Sequence, residues 1–400
     1  MTTYKMLDGN AACVEAMTMA RVGVVSAYPI TPQSPIAEGL SAKVANGSLN
    51  AQYIRVESEH SAMSVAAGAQ LTGVRACTAT SSIGLILMHE VLGLVSGCRL
   101  PIVMPVVNRA LAAPWSLWCD HQDTMAVRES GWLQLYCENV QDVYDLLLAA
   151  YRIAEDARVQ TPAMVCLDGF FLSHSMQKLS IPDQALVDIF LGPYIPKNLV
   201  LDTSDPIAIN NLIPSDEFTE VRYQQKLGFD RAEQVIDEVF AEFEKVFGRR
   251  HSAVEGWRLE DADIVLVTLG SMSGTVKYVV NNLRARGKKV GALQIVSFRP
   301  FPAEKIASLL QGARRVAVID RTASLGARTG PLYGEVAQVL GEKADIRGYI
   351  AGLGGRDINP ETIERIFADM DAPAREDLAG PIWIDLKDSP DKIRQVLRNV

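Results

Sequence analysis

The sequence predicts an α/β protein of two domains joined by a connector. Two observations carry that reading. Short apolar runs alternate with helical patterns from residue 6 to about 175 and again from 262 to about 350, and the stretch between lacks this rhythm. Such alternation implies a parallel sheet with helices on both faces. Four hundred residues at 48% hydrophobic content are enough for two sizeable cores.

In chain order the first domain, 1–180, reads as helix 10–20, strand 23–27, helix 33–44 and strand 53–56. Helix 58–71, strand 75–80, helix 84–97 and strand 102–107 follow, then helix 140–157 and strand 163–167. The stretch VVSAYPITPQSP at 24–35 ends the first strand in prolines three apart, which favours a stiff, hydroxyl-bearing loop of polyproline II character. From 181 to 260, Pro182, Pro193, Pro196, Pro206 and Pro214 interrupt weakly periodic sequence ahead of a charged helix at 229–247, as expected of a connector. The second domain, 261–400, reads as strand 264–269, helix 275–287, strand 290–295 and helix 303–311. It continues with strand 316–320, helix 330–340 and strand 346–350, an ordinary size for a domain.

Composition excludes several function classes. A net charge of −8 argues against nucleic acid as the main partner, since phosphate binding wants a basic surface. No basic stretch before an apolar core opens the sequence. The nearly uncharged stretch 74–107 is broken by Arg75, His89, Glu90 and Arg99, so it reads as buried strand and helix, and no membrane span is expected. The six cysteines, Cys13, Cys77, Cys98, Cys119, Cys137 and Cys166, form no CxxC pair and no zinc or iron–sulfur spacing. They are expected to be structural thiols of a soluble, cytoplasmic protein without a metal site of its own. GSMSG at 270–274 is not a dinucleotide fingerprint, and no G-x-S-x-G elbow is present. HQD at 121–123 offers a histidine and a carboxylate, but no recognisable motif sets up a nucleophile nearby.

Ligands in open α/β sheets collect outside the carboxyl ends of the strands. Four segments fall there in the first domain: the proline loop with Tyr28 and Thr31, VESEH at 56–60, TATSSIG at 78–84 and NRALAAPW at 108–115. Glu59 opens a helix, where the dipole favours a carboxylate whatever its role. Glu57 stands close by, and spacing alone does not say which carboxylate points inward. Arg109, read alone, suits a structural ion pair, and TATSSIG could offer backbone N–H groups to an anion but lacks a Walker lysine.

Longer motifs go further. YPITP at 28–32, VESEHSA at 56–62, TATSSIGL at 78–85, LPIVM at 100–104, NRALAAP at 108–114 and WCDHQD at 118–123 occur in that order. DGF at 168–170, FRPFP at 298–302 and AGLGGRD at 351–357 follow. Together they resemble the alpha subunit of the 2-oxoacid:ferredoxin oxidoreductases, most nearly the multi-subunit pyruvate:ferredoxin (pyruvate synthase) type, over about 11–357. The resemblance implies a thiamine-diphosphate-binding, pyrimidine-type domain followed by a transketolase C-terminal-like domain. It implies oxidative decarboxylation of a 2-oxoacid with coenzyme A, giving acyl-CoA, CO₂ and reduced ferredoxin. It also implies beta, gamma and ferredoxin-like delta subunits in a dimer of heterotetramers, with Mg²⁺ and [4Fe-4S] clusters held by the partners and an external ferredoxin or another electron carrier as acceptor.

Position by position, the resemblance assigns Glu59 to N1′ of the cofactor's aminopyrimidine, Arg109 to the substrate carboxylate and Thr31 to a substrate hydrogen bond. Tyr28 becomes pocket wall, and Ser81, Ser82 and Met88 become cofactor contacts. A carboxylate against N1′ favours the imino tautomer that takes the proton from the reactive thiazolium carbon. Trp115 departs from the family, where a smaller aliphatic is usual. Facing the pocket, it would point to an aryl or branched-chain 2-oxoacid such as phenylglyoxylate or 2-oxoisovalerate; facing a partner, it says nothing of substrate. A scaffold without catalysis is the reading from another class, and it has no need of Glu59, Thr31 and Arg109 together.

Overall fold

The structure, a computed structural model, describes residues 2–373, 380–390 and 392–393. It divides into two units, Met1–Glu255 with Ile295–Pro302 and Gly256–Gln294 with Ala303–Val400. The first unit runs β1 (Thr2–Leu7), α1 (Gly9–Met19), β2 (Val24–Ala27), α2 (Ser34–Ala45), β3 (Gln52–Arg55), α3 (Glu59–Leu71) and β4 (Ala76–Cys77). It continues through α4 (Ser82–Leu87), α5 (His89–Gly97), β5 (Val103–Asn108), α6 (Gln122–Ala126), β6 (Leu133–Tyr136), α7 (Val140–Ala154) and β7 (Ala163–Asp168). Then come β8 (Gln177–Pro182), α8 (Gln184–Leu191) and the long α9 (Phe218–Phe247).

Side-chain caps start several helices where the sequence supplies an acceptor. Asp8 accepts from the Ala11 N–H (2.8 Å) at α1, and Asn139 accepts from Asp142 (2.9 Å) at α7. In the sheet, β2 pairs in parallel with β3 and β4, while β5 and β6 pair in parallel with β7. A parallel bridge between Thr80 and Val106 joins the two groups, giving the order β3-β2-β4-β5-β7-β6. Every residue of β5, β6 and β7 is buried, as strands covered on both faces must be.

The structure differs from the sequence reading in several local places. The strand expected at 75–80 keeps only Ala76–Cys77 as ladder, with Thr80 resuming the pairing as a single bridge. The helix expected at 84–97 is two, α4 and α5, joined at Met88. The proline loop is a tight turn: the N–H groups of Gln33 and Ser34 donate to the Ile30 carbonyl (2.8 and 3.1 Å). Pro35 then sits in the first turn of α2, where a missing N–H costs nothing. The charged helix begins at Phe218 rather than 229, because its first turns are exposed and carry no apolar face to read. β1 and β8 pair antiparallel, Tyr4 opposite Ser180.

Residues 181–255, read from sequence as connector, cluster with the first unit. The reason is the far half of α9, which buries Ala232, Ile236, Val239, Phe240 and Phe243 and packs on α7. Arg249, just beyond it, donates two hydrogen bonds of 2.7 Å to the buried Asp145 carboxylate on α7.

The chain enters the second unit within β9 (Val254–Trp257), followed by β10 (Ile264–Leu269), α10 (Met272–Ala285), β11 (Val290–Ile295) and β12 (Ser297–Arg299). Of these, β12 belongs to the first unit, where it lies antiparallel to β6. The second unit continues with α11 (Ala303–Leu310), β13 (Arg315–Asp320), α12 (Pro331–Leu340), β14 (Asp345–Ile350), α13 (Pro360–Asp371) and β15 (Ile382–Trp383). Its sheet order is β15-β14-β13-β10-β11-β9, around a core that includes Leu266, Val276, Ile319, Tyr349 and Ile366. Among the described residues no helix is long and apolar enough to cross a membrane.

Candidate active site at the carboxyl ends of the first sheet

The segments after β2, β3, β4 and β5 converge on a cleft of about 750 Å³ within the first unit. Tyr28, Thr31, Glu59, Gly84, Arg109 and Trp115 line it, with apolar wall from Leu111 and Leu117.

Capping decides which carboxylate enters. Ser58 is the N-cap of α3 and accepts from the Ser61 N–H (3.2 Å), which leaves Glu59 in the first turn and turned inward. Glu59 is buried, whereas Glu57, before the cap, is exposed. The Ser61 hydroxyl donates to Glu57 and holds its carboxyl below the usual range. Burial pushes the Glu59 carboxyl up, opposed only by its own backbone N–H. No side chain among the described residues donates a hydrogen bond to it.

The neighbourhood of Glu59 is shaped for close approach. A Cβ on Gly84 would stand 2.5 Å from Glu59 Oε1 and 2.7 Å from Thr80 Oγ1, so a larger residue would displace the carboxylate. The hydroxyls of Thr80 and Ser81 are buried without a hydrogen-bond partner. A carboxylate of raised pKa without a side-chain donor, beside the missing side chain of Gly84, is suited to share a proton with a basic ring nitrogen.

Arg109 leaves the end of β5 and is also buried. Its Nη1 donates to the Thr31 carbonyl (2.7 Å) and its Nε to the Ser116 carbonyl (3.2 Å). Burial lowers its pKa, with Asp123 opposing, yet no carboxylate of the described residues forms an ion pair with its guanidinium. Nη2 donates to none of them either, so this arginine keeps an edge for an external anion. Thr31 itself is exposed on the cleft side of the turn.

The three expected cofactor contacts are not among the cleft-lining residues. Ser81, Ser82 and Met88 are fully buried and do not line the cleft. The Ser82 hydroxyl is spent on the Ala110 carbonyl (2.6 Å), and Met88 fills the junction of α4 and α5. Two residues to which the sequence reading gave no role matter as well. One is Gly84, inside the quoted TATSSIG; the other is Asp123, whose surroundings only the fold assembles. Away from the cleft, the donor atoms of Cys119, His121 and Asp168 lie within 4.8 Å of one another, a set that could hold a metal ion. His121 Nε2 and Asp168 Oδ1 are 2.7 Å apart, as in an ordinary buried pair.

The cleft rim is apolar and open in the isolated chain, with Ile83, Leu87, Trp115 and Trp118 between 46 and 76% exposed. Clustered exposed apolar side chains of this kind mark an interaction face or a ligand-binding groove.

Residues 15–241 match the family described as pyruvate flavodoxin/ferredoxin oxidoreductase, thiamine diphosphate-binding, and residues 262–363 match the pyruvate:ferredoxin oxidoreductase core domain II. Pyruvate synthase subunit PorA of Methanocaldococcus jannaschii is 47% identical over 390 residues, 97% of this chain and 99% of that one. Ketoisovalerate oxidoreductase subunit VorA of Pyrococcus abyssi is 44% identical over 370 residues, 92% of this chain and 93% of that one. Among solved structures, a 2-oxoglutarate:ferredoxin oxidoreductase from Magnetococcus marinus superposes with a TM-score of 0.71 at 20% identity. That match covers 92% of this chain and 65% of the longer one. A split-gene transketolase, described as an inactive beta4 tetramer, gives 0.55 at 12% identity, covering 90% of this chain and 95% of that one. At these identities the two structures speak for the fold.

Proposed function

The chain belongs to the pyruvate:ferredoxin oxidoreductase family, as its alpha subunit, and from this premise we propose that its cleft is the aminopyrimidine and substrate half of a shared thiamine diphosphate site. The observation that carries the proposal is the buried Glu59 carboxylate, with no side-chain donor among the described residues, facing the same cleft as the unpaired edge of Arg109. Gly84, which lines the cleft and whose missing side chain leaves room beside the Glu59 carboxylate, supports the fit of a flat, nitrogen-bearing ring there.

Bound thiamine diphosphate supplies a carbon nucleophile for the keto group and an electron sink for decarboxylation. Glu59 would hold a proton between its Oε and the ring nitrogen N1′, a task that its raised pKa eases. Arg109, fixed by the Thr31 and Ser116 carbonyls, would receive the planar substrate carboxylate through its free edge. The Thr31 hydroxyl would take a second polar group of the substrate, and Tyr28 would close the wall. The net reaction turns a 2-oxoacid and coenzyme A into acyl-CoA and CO₂, passing two electrons to ferredoxin.

The apolar rim fits a beta subunit bringing the diphosphate and Mg²⁺ site over the cleft. The six cysteines are all buried and outside any disulfide, and [4Fe-4S] clusters are assigned to the partners. Gamma and delta subunits, a doubled heterotetramer and a cytoplasmic location complete the reading. Pyruvate is the proposed substrate, in line with the PorA relatives. A branched-chain or aryl 2-oxoacid is the second reading, because Trp115 lines the cleft. Initial rates of the purified complex with pyruvate, 2-oxoisovalerate and phenylglyoxylate separate the two. Pyruvate is expected to show the highest kcat/KM, and a preference for either bulkier acid would transfer the assignment to the second reading.

Gly84→Ala tests the cradle beside Glu59. The added methyl must displace the carboxylate or the Thr80 hydroxyl. Turnover is therefore expected to fall on the order of 10²-fold from misplacement alone, with an overpacking cost of about 1–3 kcal/mol in a denaturant titration.

A further inference from the structure

Asp123, in the HQD stretch left without a catalytic role above, is fully buried and accepts four hydrogen bonds. Oδ2 accepts the backbone N–H groups of Ser82 and Arg109, both at 3.0 Å. Oδ1 accepts Asn108 Nδ2 and the Thr124 N–H, both at 2.8 Å. An aspartate serving only its own helix would spend itself on N–H groups there. This one spends an entire oxygen on the two loops that carry the cleft residues. The Ser82 hydroxyl ties the same loops a second time through the Ala110 carbonyl. One carboxylate oxygen thus ties the origin of the Arg109 side chain to the first residue of α4. Burial raises the Asp123 pKa to about 6, and its four donors pull the other way. A buried charge is rarely the most stable filling for a core site, and a packed apolar residue would serve stability as well or better.

We propose that Asp123 is a positioning residue for substrate recognition, clamping the Arg109 backbone to the start of α4 so that the guanidinium keeps its free edge on the cleft. This rests on the reading of Arg109 as the partner of the 2-oxoacid carboxylate.

Asp123→Asn in the assembled enzyme tests it. The amide offers an oxygen to one pair of donors and turns its own N–H groups on the other, so the clamp is broken with little change of size. The KM for the 2-oxoacid is expected to rise about tenfold or more, as a displaced binding group requires. Saturated kcat, the KM for coenzyme A and thiamine diphosphate content should all stay within about threefold, a split that general loss of structure does not produce. In an Arg109→Ala background the same substitution should lower kcat/KM by less than about twofold further, since coupled residues do not add. A fall in kcat or cofactor content at unchanged KM, or full additivity with Arg109→Ala, overturns the proposal. A normal KM in Asp123→Asn beside a raised KM in Arg109→Ala sinks it alone; a normal KM in Arg109→Ala sinks the arginine reading with it. Should Asp123→Asn fail to assemble, Ser82→Ala removes the second tie without touching a charge. It should raise the 2-oxoacid KM about threefold, and an unchanged value there counts against the clamp.

Discussion

Replacing Glu59 by glutamine is expected to lower turnover of the assembled enzyme by roughly 10²–10⁴-fold, the usual worth of a positioned acid–base group. The amide keeps the size and one hydrogen bond, but it cannot share a proton with a ring nitrogen. Assembly and fold should survive, and the physics gives a sign. A carboxyl whose pKa is raised by folding favours the folded state only while protonated, and that contribution is lost as pH rises through the raised value. Wild type therefore loses stability relative to Glu59→Gln as pH rises through the raised value, and the glutamine variant should melt at the wild-type temperature or above at the alkaline end of the range. Glu57→Gln is the control: the residue is exposed and its one side-chain partner is Ser61 on its own segment, so turnover should change by less than about twofold. Steady-state rates and melting curves of both variants decide the matter. Exchanged effects would mean that the wrong carboxylate has been placed at the cofactor.

Arg109→Ala is expected to weaken apparent affinity for the 2-oxoacid by about 2–5 kcal/mol, the cost of leaving a desolvated carboxylate without its charged partner. Arg109→Lys should recover only part, since an ammonium cannot reach the Thr31 and Ser116 carbonyls and still present a planar edge. Thr31→Val deletes one exposed hydroxyl and leaves the carbonyl that holds Arg109, so about 0.5–1.5 kcal/mol is expected. KM values for the best 2-oxoacid across the three variants check the order. An alanine variant with normal KM would move substrate recognition elsewhere.

Much of this site was visible in the chain before folding, and the reasons why the rest was not are local. The apolar runs at β5 and β7 are buried on both faces, so their composition alone marked them. β6 escaped notice because Gln134 sits inside it, fully buried and donating to the Thr124 carbonyl, which breaks the apolar pattern. β1 escaped because Tyr4 and Met6 are exposed along an edge pair. Spacing could not choose between Glu57 and Glu59; the Ser58 cap chooses, by fixing where α3 begins. Ser82 was placed at the cofactor by its motif, yet its hydroxyl and N–H are consumed in joining loops. Asp123 was read only as the carboxylate of HQD and given no role, because its partners come from the distant positions 82, 108 and 109 and meet only once β4 and β5 lie side by side.

The most direct test of the central claim is 2-oxoacid-dependent reduction of a viologen dye by the complex that co-purifies with this chain, set beside the chain alone. A cleft that holds half of a shared cofactor site predicts dye reduction requiring thiamine diphosphate, coenzyme A and a 2-oxoacid in the complex, and none by the isolated chain. Decarboxylation of 2-oxoacids by the isolated chain, or a cofactor-loaded complex that reduces the dye with no 2-oxoacid, would contradict it.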